Sequence, residues 1–293
     1  MAPLDSSRPV PARAGFAGIA LMALSATGYG LVPIFARFAY DAGATPLTLL
    51  GLRYTVVSAA LLAVLRARGR PLALPAGRRY AGVVTGGMFA VIAYAYLAAI
   101  RLVPVSSAVL LFFTYPLLVV LIGWSRGERP GLRRILAVIA AFIGLAVALG
   151  VEIGGLDPLG VWLAVVGSLT YTVGIFYFGR TAAGADPMVL TLHAMGTCAV
   201  LFMPLAAAAG ALVVPATTLG IVGVVGVVVT YFTGVVAFFA ALARIGPVKT
   251  ALLSQLEPVV SILAAVLVLR EQLSLVQGLG VILLLGALMV LAG

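Results

Sequence analysis

The sequence predicts an all-α polytopic membrane protein, with ten transmembrane helices arranged as two inverted five-helix repeats. Three observations predict it: a composition with almost no charge, apolar runs long enough to cross a bilayer along the whole chain, and a motif that returns 141 to 143 residues later. Of the 293 residues, 63% are apolar and 9% are charged, against about 45–50% and about 25% in soluble globular chains. So few charges cannot cover a water-facing surface, which leaves the bilayer as the solvent.

The spans follow from breaks at Pro, Gly and charge clusters, each run being long enough for a hydrocarbon core of about 30 Å. The first, 16–39, follows Arg8 and Arg13; it outlasts a signal-peptide core and more spans succeed it, so it reads as a span and not a cleaved leader. The second, 46–65, opens at Pro46 and stops at Arg66, and the third, 80–101, lies between Arg79 and Arg101. The fourth, 105–125, follows Pro104, and the fifth, 132–150, runs from Arg133 and Arg134 to Gly150. The sixth, 157–178, opens at Asp157-Pro158, and the seventh, 187–209, at Pro187. The eighth, 217–243, ends at Arg244; the ninth, 247–269, runs from Pro247 to Arg270; the tenth covers 274–292. Short connections make one membrane domain, 1–293, whose repeats are expected at 1–150 and 151–293.

The net charge of +10 would raise nucleic acid as a partner, but the 18 Lys and Arg lie almost entirely in segments between apolar runs. That is a topology signal. One side of the predicted spans collects Arg8, Arg13, Arg66, Arg68, Arg70, Arg78, Arg79, Arg126, Arg129, Arg133, Arg134, Arg180, Arg244 and Lys249. The other has Arg37, Arg53, Arg101 and Arg270, a split of 14 to 4 that places both termini in the cytoplasm. The expected partners are a lipid bilayer and a small-molecule substrate, with no nucleic acid. The lone cysteine, Cys198, sits in an apolar run as a small buried hydrophobe, and no disulfide, metal cluster or cofactor is expected.

The internal repeat is the most informative feature. Leu97 to Val105 leads through Thr114-Tyr115-Pro116 to Gly127-Glu128, and Ala240 to Val248 leads through Leu256-Glu257-Pro258 to Arg270-Glu271. Each copy has an Arg three residues before a Pro, a second Pro in mid-span, and a Glu 24 residues beyond the first Pro. A weaker echo matches Gly43-Ala44-Thr45-Pro46 to Gly184-Ala185-Asp186-Pro187. Five spans per unit is an odd number, so the second copy crosses in the opposite sense, the architecture through which many transporters alternate access.

On these residues the chain resembles the drug/metabolite transporter superfamily, specifically its ten-helix EamA-type permeases. The resemblance rests on Arg101 to Glu128, on Arg244 to Val260, and on Glu271. It implies a bacterial inner-membrane exporter of amino acids and related metabolites, other members carrying quaternary cations, nucleotide sugars or triose phosphates. Tyr115-Pro116 against Glu257-Pro258 leaves an acid beside the mid-span proline in one half only.

Pro116 and Pro258 each remove a backbone donor in mid-span, which would free the carbonyls of Phe112 and Ser254. With Gly28, Gly30 and Pro33 in the first span and Gly167 and Gly174 in the sixth, they are the expected hinges; the alternative for the prolines is a static kink. Glu257 is the acid deep within an apolar run, where a charge costs at least about 2.5–3.5 kcal/mol. It serves a substrate ammonium or a transported proton, or it is a hydrogen-bonded tie between helices. His193 is the sole histidine and offers either a packed side chain, the stronger reading, or a proton relay. Arg53 faces a cavity or snorkels outward, and Arg244 and Lys249 are expected to snorkel. Thr27, Tyr94, Tyr115, Ser168, Tyr171, Tyr231 and Gln255 fall near the expected midplane and would together surround a small amphipathic solute. The glycine patches at Gly82 to Gly86 and Gly223 to Gly226 read as close helix contacts and not phosphate loops.

Together these features imply a secondary transporter exporting small amphipathic metabolites, foremost amino acids, by alternating access. Efflux of lipophilic cations is the rival within transporters. An intramembrane enzyme pairing His193 with Glu257 lacks any nucleophile, metal-ligand or paired-carboxylate motif.

Overall fold

A computed structural model describes residues 12–100, 102–125, 131–151, 154–270 and 272–292. Arg101, Glu128 and Glu271 of the repeat motif lie outside the described residues, as do Arg8, Arg126 and Arg129 and the side chains of Arg13 and Arg134.

Eleven α-helices run in the order α1 (Ala12–Asp41), α2 (Pro46–Ala67), α3 (Ala81–Ala99), α4 (Val105–Phe112), α5 (Tyr115–Ser125), α6 (Leu132–Ala148), α7 (Pro158–Ala182), α8 (Pro187–Ala208), α9 (Thr218–Leu253), α10 (Leu256–Leu269) and α11 (Leu275–Ala292). Among the described residues, seven helical segments are long and apolar enough to cross a membrane, and three more, Ile135–Ala148, Leu256–Leu269 and Leu275–Leu291, are apolar but shorter. Seven and three agree with the expected all-α, ten-helix fold, but three of the ten fall short of a full span. The fourth expected span is split into α4 and α5, while α9 carries the eighth and the opening of the ninth across a kink at Gly246.

The echo around Pro46 and Pro187 has a local cause. Thr45 caps α2 by accepting the Thr48 amide at 3.0 Å, and Asp186 caps α8 by accepting the Met188 amide at 2.9 Å, each ahead of a proline whose fixed φ suits the first helical turn. Asp157 caps α7 before Pro158 in the same way. α2 and α8 then pack antiparallel. The Thr45 hydroxyl donates to the Ala211 carbonyl beyond the end of α8, and at the other end Arg70 pairs with Asp186 at 2.7 Å.

The remaining pairings interleave the two halves. α1 lies along α9 and α7 along α3, α6 lies against α11, and α10 and α5 pack on α1 and α7. These contacts are close because glycines line them. A Cβ on Gly28 would lie 2.6 Å from the Gly234 nitrogen, and one on Gly144 would lie 2.7 Å from that of Leu284. Gly82 abuts His193, Gly86 the Ala194 carbonyl, and Gly223 and Gly226 the Phe35 turn of α1, so both glycine patches are helix contacts as expected. The largest wholly buried side chains, Tyr54, Tyr115, Phe178, Phe238 and Phe239, fill the centre, while leucine and valine cover the outside. Trp124 and Trp162 are exposed at helix ends, where a lipid interface favours indole.

Gly246 has φ 76° and ψ 173°, a conformation open to glycine almost alone, and Pro247 follows it. The Thr250 hydroxyl donates to the Gly246 carbonyl at 2.7 Å. Nothing lies within 4 Å of a Cβ built there, so Gly246→Ala adds backbone strain and no clash. The expected loss is about 1–3 kcal/mol, read as a lower thermal midpoint of the purified protein in detergent.

Candidate functional site

Two helix breaks meet in the core. α4 stops at Phe112 and α5 starts at Tyr115; α9 stops at Leu253 and α10 starts at Leu256. The prolines explain where the new helices begin. Pro116 and Pro258 lie in the first turns of α5 and α10, where a missing N–H is tolerated, so they open helices and do not bend the interior of one. The Ser254 carbonyl, expected to be orphaned, accepts the Glu257 amide at 2.9 Å. α1 and α7 run on through Pro33 and Gly174, and Gly28 and Gly30 are crossing points against α9 and α10.

A hydroxyl pair joins the breaks. Ser254 donates to the Ala251 carbonyl at 2.7 Å, leaving its oxygen to accept from the Tyr115 hydroxyl. On the other side Thr114 donates to the Leu111 carbonyl and is hydrogen-bonded to Ser168 at 2.8 Å, so Ser168 is the donor there. Tyr115 and Ser168 are thus anchored within one small region.

From Tyr115 a row of rings leads across the protein. Tyr115 meets Tyr171 at 4.5 Å between centroids, Tyr171 meets Phe238 at 6.1 Å, and Phe238 meets Tyr29 at 6.4 Å. Tyr29 packs edge-on to Tyr231 at 5.4 Å, and Tyr231 edge-on to Tyr54 at 5.5 Å. Most centroid separations fall in the range where edge-to-face and offset rings attract.

Polar groups occupy both ends of the row. Glu257 is half-buried in the first turn of α10, where α1 presses close: a Cβ on Gly30 would lie 2.8 Å from the Glu257 carbonyl oxygen. Its carboxylate is within electrostatic reach of the Tyr29, Tyr96, Tyr115 and Tyr171 hydroxyls, and among the described residues no basic side chain pairs with it. The buried Gln255 amide oxygen finds no donor among the described residues. At the far end the Arg53 guanidinium carbon lies 4.3 Å from the Tyr231 ring centroid and 4.8 Å from that of Tyr54. Buried acceptors and a carboxylate at one end, with a cation at the other, can hold a small polar solute against an aromatic wall.

Similarity bears on what such a row serves. The model of the EamA-like transporter family matches residues 16–150 and matches again at 158–293. The chain belongs to the EamA-like transporter family. It is a multi-pass membrane protein of the drug/metabolite transporter superfamily, a transporter and not an enzyme. A comparison with curated proteins finds no match. Among solved structures, one titled only as the crystal structure of a protein superposes with a TM-score of 0.75 at 21% identity, covering 95% of this chain and 96% of its own, a likeness of fold.

Within this EamA-like chain, the predicted site residues divide. Tyr115, Ser168, Tyr171, Tyr231, Gln255 and Glu257 come together along the row and its breaks. Tyr94 does not, being 65% exposed on the apolar outer face of α3, and Thr27 is exposed and bonded to the Ala23 carbonyl of its own helix. His193 also lies apart, at the α3–α8 contact against Gly82, with Nδ1 on the Val189 carbonyl at 2.9 Å. That removes the His193–Glu257 pair. Arg244 and Lys249 are exposed, as snorkelling requires. Tyr29 and Tyr54 went unnoticed in the sequence, Tyr29 because its neighbours Gly28 and Gly30 read as hinges. A cavity of about 390 Å³, lined by Pro71, Leu74, Gly184 and the ion-paired Asp186 among others, includes no residue of the row.

Proposed function

We propose that the protein is a secondary transporter exporting small amphipathic metabolites, foremost amino acids, by alternating access at the tyrosine row. The observation that carries the reading is the placement of Glu257 and the undonated Gln255 oxygen beside tyrosine hydroxyls at a paired helix break. Those groups offer acceptors to an ammonium, and the rings offer a wall to a side chain. Tyr115, Ser168, Tyr171, Tyr231, Gln255 and Glu257 form the site.

Two repeats, 1–150 and 151–293, rock about it. The twofold match of the family model supports this, as do the matched caps at Thr45 and Asp186 and the antiparallel packing of α2 on α8. Reciprocal pairing of α1 with α9 and of α7 with α3 is what a pseudo-twofold axis produces. The breaks at 113–114 and 254–255, opened by Pro116 and Pro258, supply the hinges; Pro33 and Gly174 accommodate smaller bending. The site is bacterial inner membrane with both termini cytoplasmic, as the 14 to 4 charge split supports.

Purified protein in proteoliposomes is expected to catalyse counterflow of amino acids without ATP; no counterflow across a panel of the twenty would overturn the reading. Equal initial rates with and without a pH gradient would leave facilitated exchange, whereas acceleration would assign coupling to Glu257, since His193 is off the row. Efflux of lipophilic cations is the second reading, favoured by Glu257 among aromatic rings and opposed by the Arg53 cation in the same row.

A further inference from the structure

Arg53 sits about 10 Å inside α2 from Pro46, at about 1.5 Å per residue. A guanidinium stays charged at any physiological pH and presents five N–H donors in a rigid fork. Here one Nη2 donor reaches the Tyr54 hydroxyl at 3.1 Å, and the buried Nε finds no acceptor. The ion pairs among the described residues, Arg37–Asp41 and Arg70–Asp186, do not include it. Two tyrosine rings, their centroids 4.3 and 4.8 Å from the guanidinium carbon, stabilise the cation. They do not satisfy its donors, and an unmatched buried charge is the arrangement folded proteins avoid.

Glu257 also has no basic partner among the described residues, and it lies toward the other end of the row. A cation with a free donor, stacked on two tyrosine rings of the row, complements an anionic group of the transported solute. We propose that Arg53 binds the carboxylate of the transported amino acid. The proposal rests on the reading of this row as the transport site and adds the anionic half of its specificity. Bidentate guanidinium–carboxylate contact fixes the orientation of the solute, and the aromatic wall is left for its side chain.

The test uses counterflow of leucine, phenylalanine and threonine, each beside its carboxamide, which keeps the ammonium and loses the carboxylate. Wild-type protein should carry at least one amino acid at least tenfold faster than its carboxamide. Arg53→Gln should abolish that preference, slowing the amino acid at least tenfold while the carboxamide is unchanged or faster, and Arg53→Lys should restore part of it. Arg53→Gln with wild-type rates and selectivity would overturn the proposal and spare the transport reading. Equal loss of both substrates in a variant that elutes and melts like wild type would also overturn it, because a packing role predicts that pattern. If Arg53→Gln does not fold, Arg53→Lys decides: unchanged selectivity overturns the proposal, and a selective loss for amino acids supports it. Carriage of carboxamides alone by wild-type protein would overturn both readings.

Discussion

Glu257→Gln is expected to cut amino-acid counterflow by about 10- to 100-fold while leaving the folded protein as stable as before or more so. The loss follows from one charge-assisted hydrogen bond to an ammonium, worth about 1.5–3 kcal/mol. The stability follows from the opposite side of the same change. A carboxylate at this depth costs at least about 2.5–3.5 kcal/mol, Gln keeps its volume, and no basic partner among the described residues is left unpaired. A structural tie predicts the reverse. There Gln would preserve the hydrogen bond and the activity, so retained counterflow in E257Q would remove Glu257 from the site. Transport rate and melting midpoint on the same preparation separate the two.

The architecture was legible because bilayer physics writes it in large letters. Apolar run length marked the helices, and the motif ahead of Pro104 returns ahead of Pro247, once in each of the two stretches that the family model matches. Thr45-Pro46 and Asp186-Pro187 proved to be capping pairs, which is why so short an echo carried information. The errors share a physical origin. Position along a span gives depth and not direction, so Tyr94, expected beside the solute, lies on the outer face, while His193 takes the packed, hydrogen-bonded place that was the stronger of its two readings. Glycine is ambiguous for a related reason: at Gly28 and Gly30 it allows close approach, whereas at Gly246 it allows a positive φ, and sequence does not say which. Arg53 was visible as a charge in an apolar run, but its inward stacking between Tyr54 and Tyr231 depends on where α9 passes.

That passage makes Gly28 a tight packing position. The first atoms a Cβ there would meet are backbone, Gly234 N at 2.6 Å and Thr230 O at 2.7 Å, and backbone within a helix cannot rotate away as a side chain can. Gly28→Leu must therefore push α1 off α9. The displacement breaks the Ser25 hydroxyl bond to the Gly234 carbonyl, now 2.9 Å, separates Tyr29 from Tyr231, and lifts Gly30 from the start of α10. Overpacking a tight interior costs about 1–3 kcal/mol before those losses are counted, so G28L is expected to yield little folded protein. Gly28→Ala should fold with a lowered midpoint and reduced transport. Gly87 gives the control: it is also within a helix, but nothing lies within 4 Å of its Cβ, so Gly87→Ala should be neutral or stabilising by up to about 1 kcal/mol. Equal melting of G28A and G87A would show that the α1–α9 crossing does not hold the two halves together. A drop confined to G28A would tie stability and the integrity of the tyrosine row to the crossing of Gly28 on Gly234.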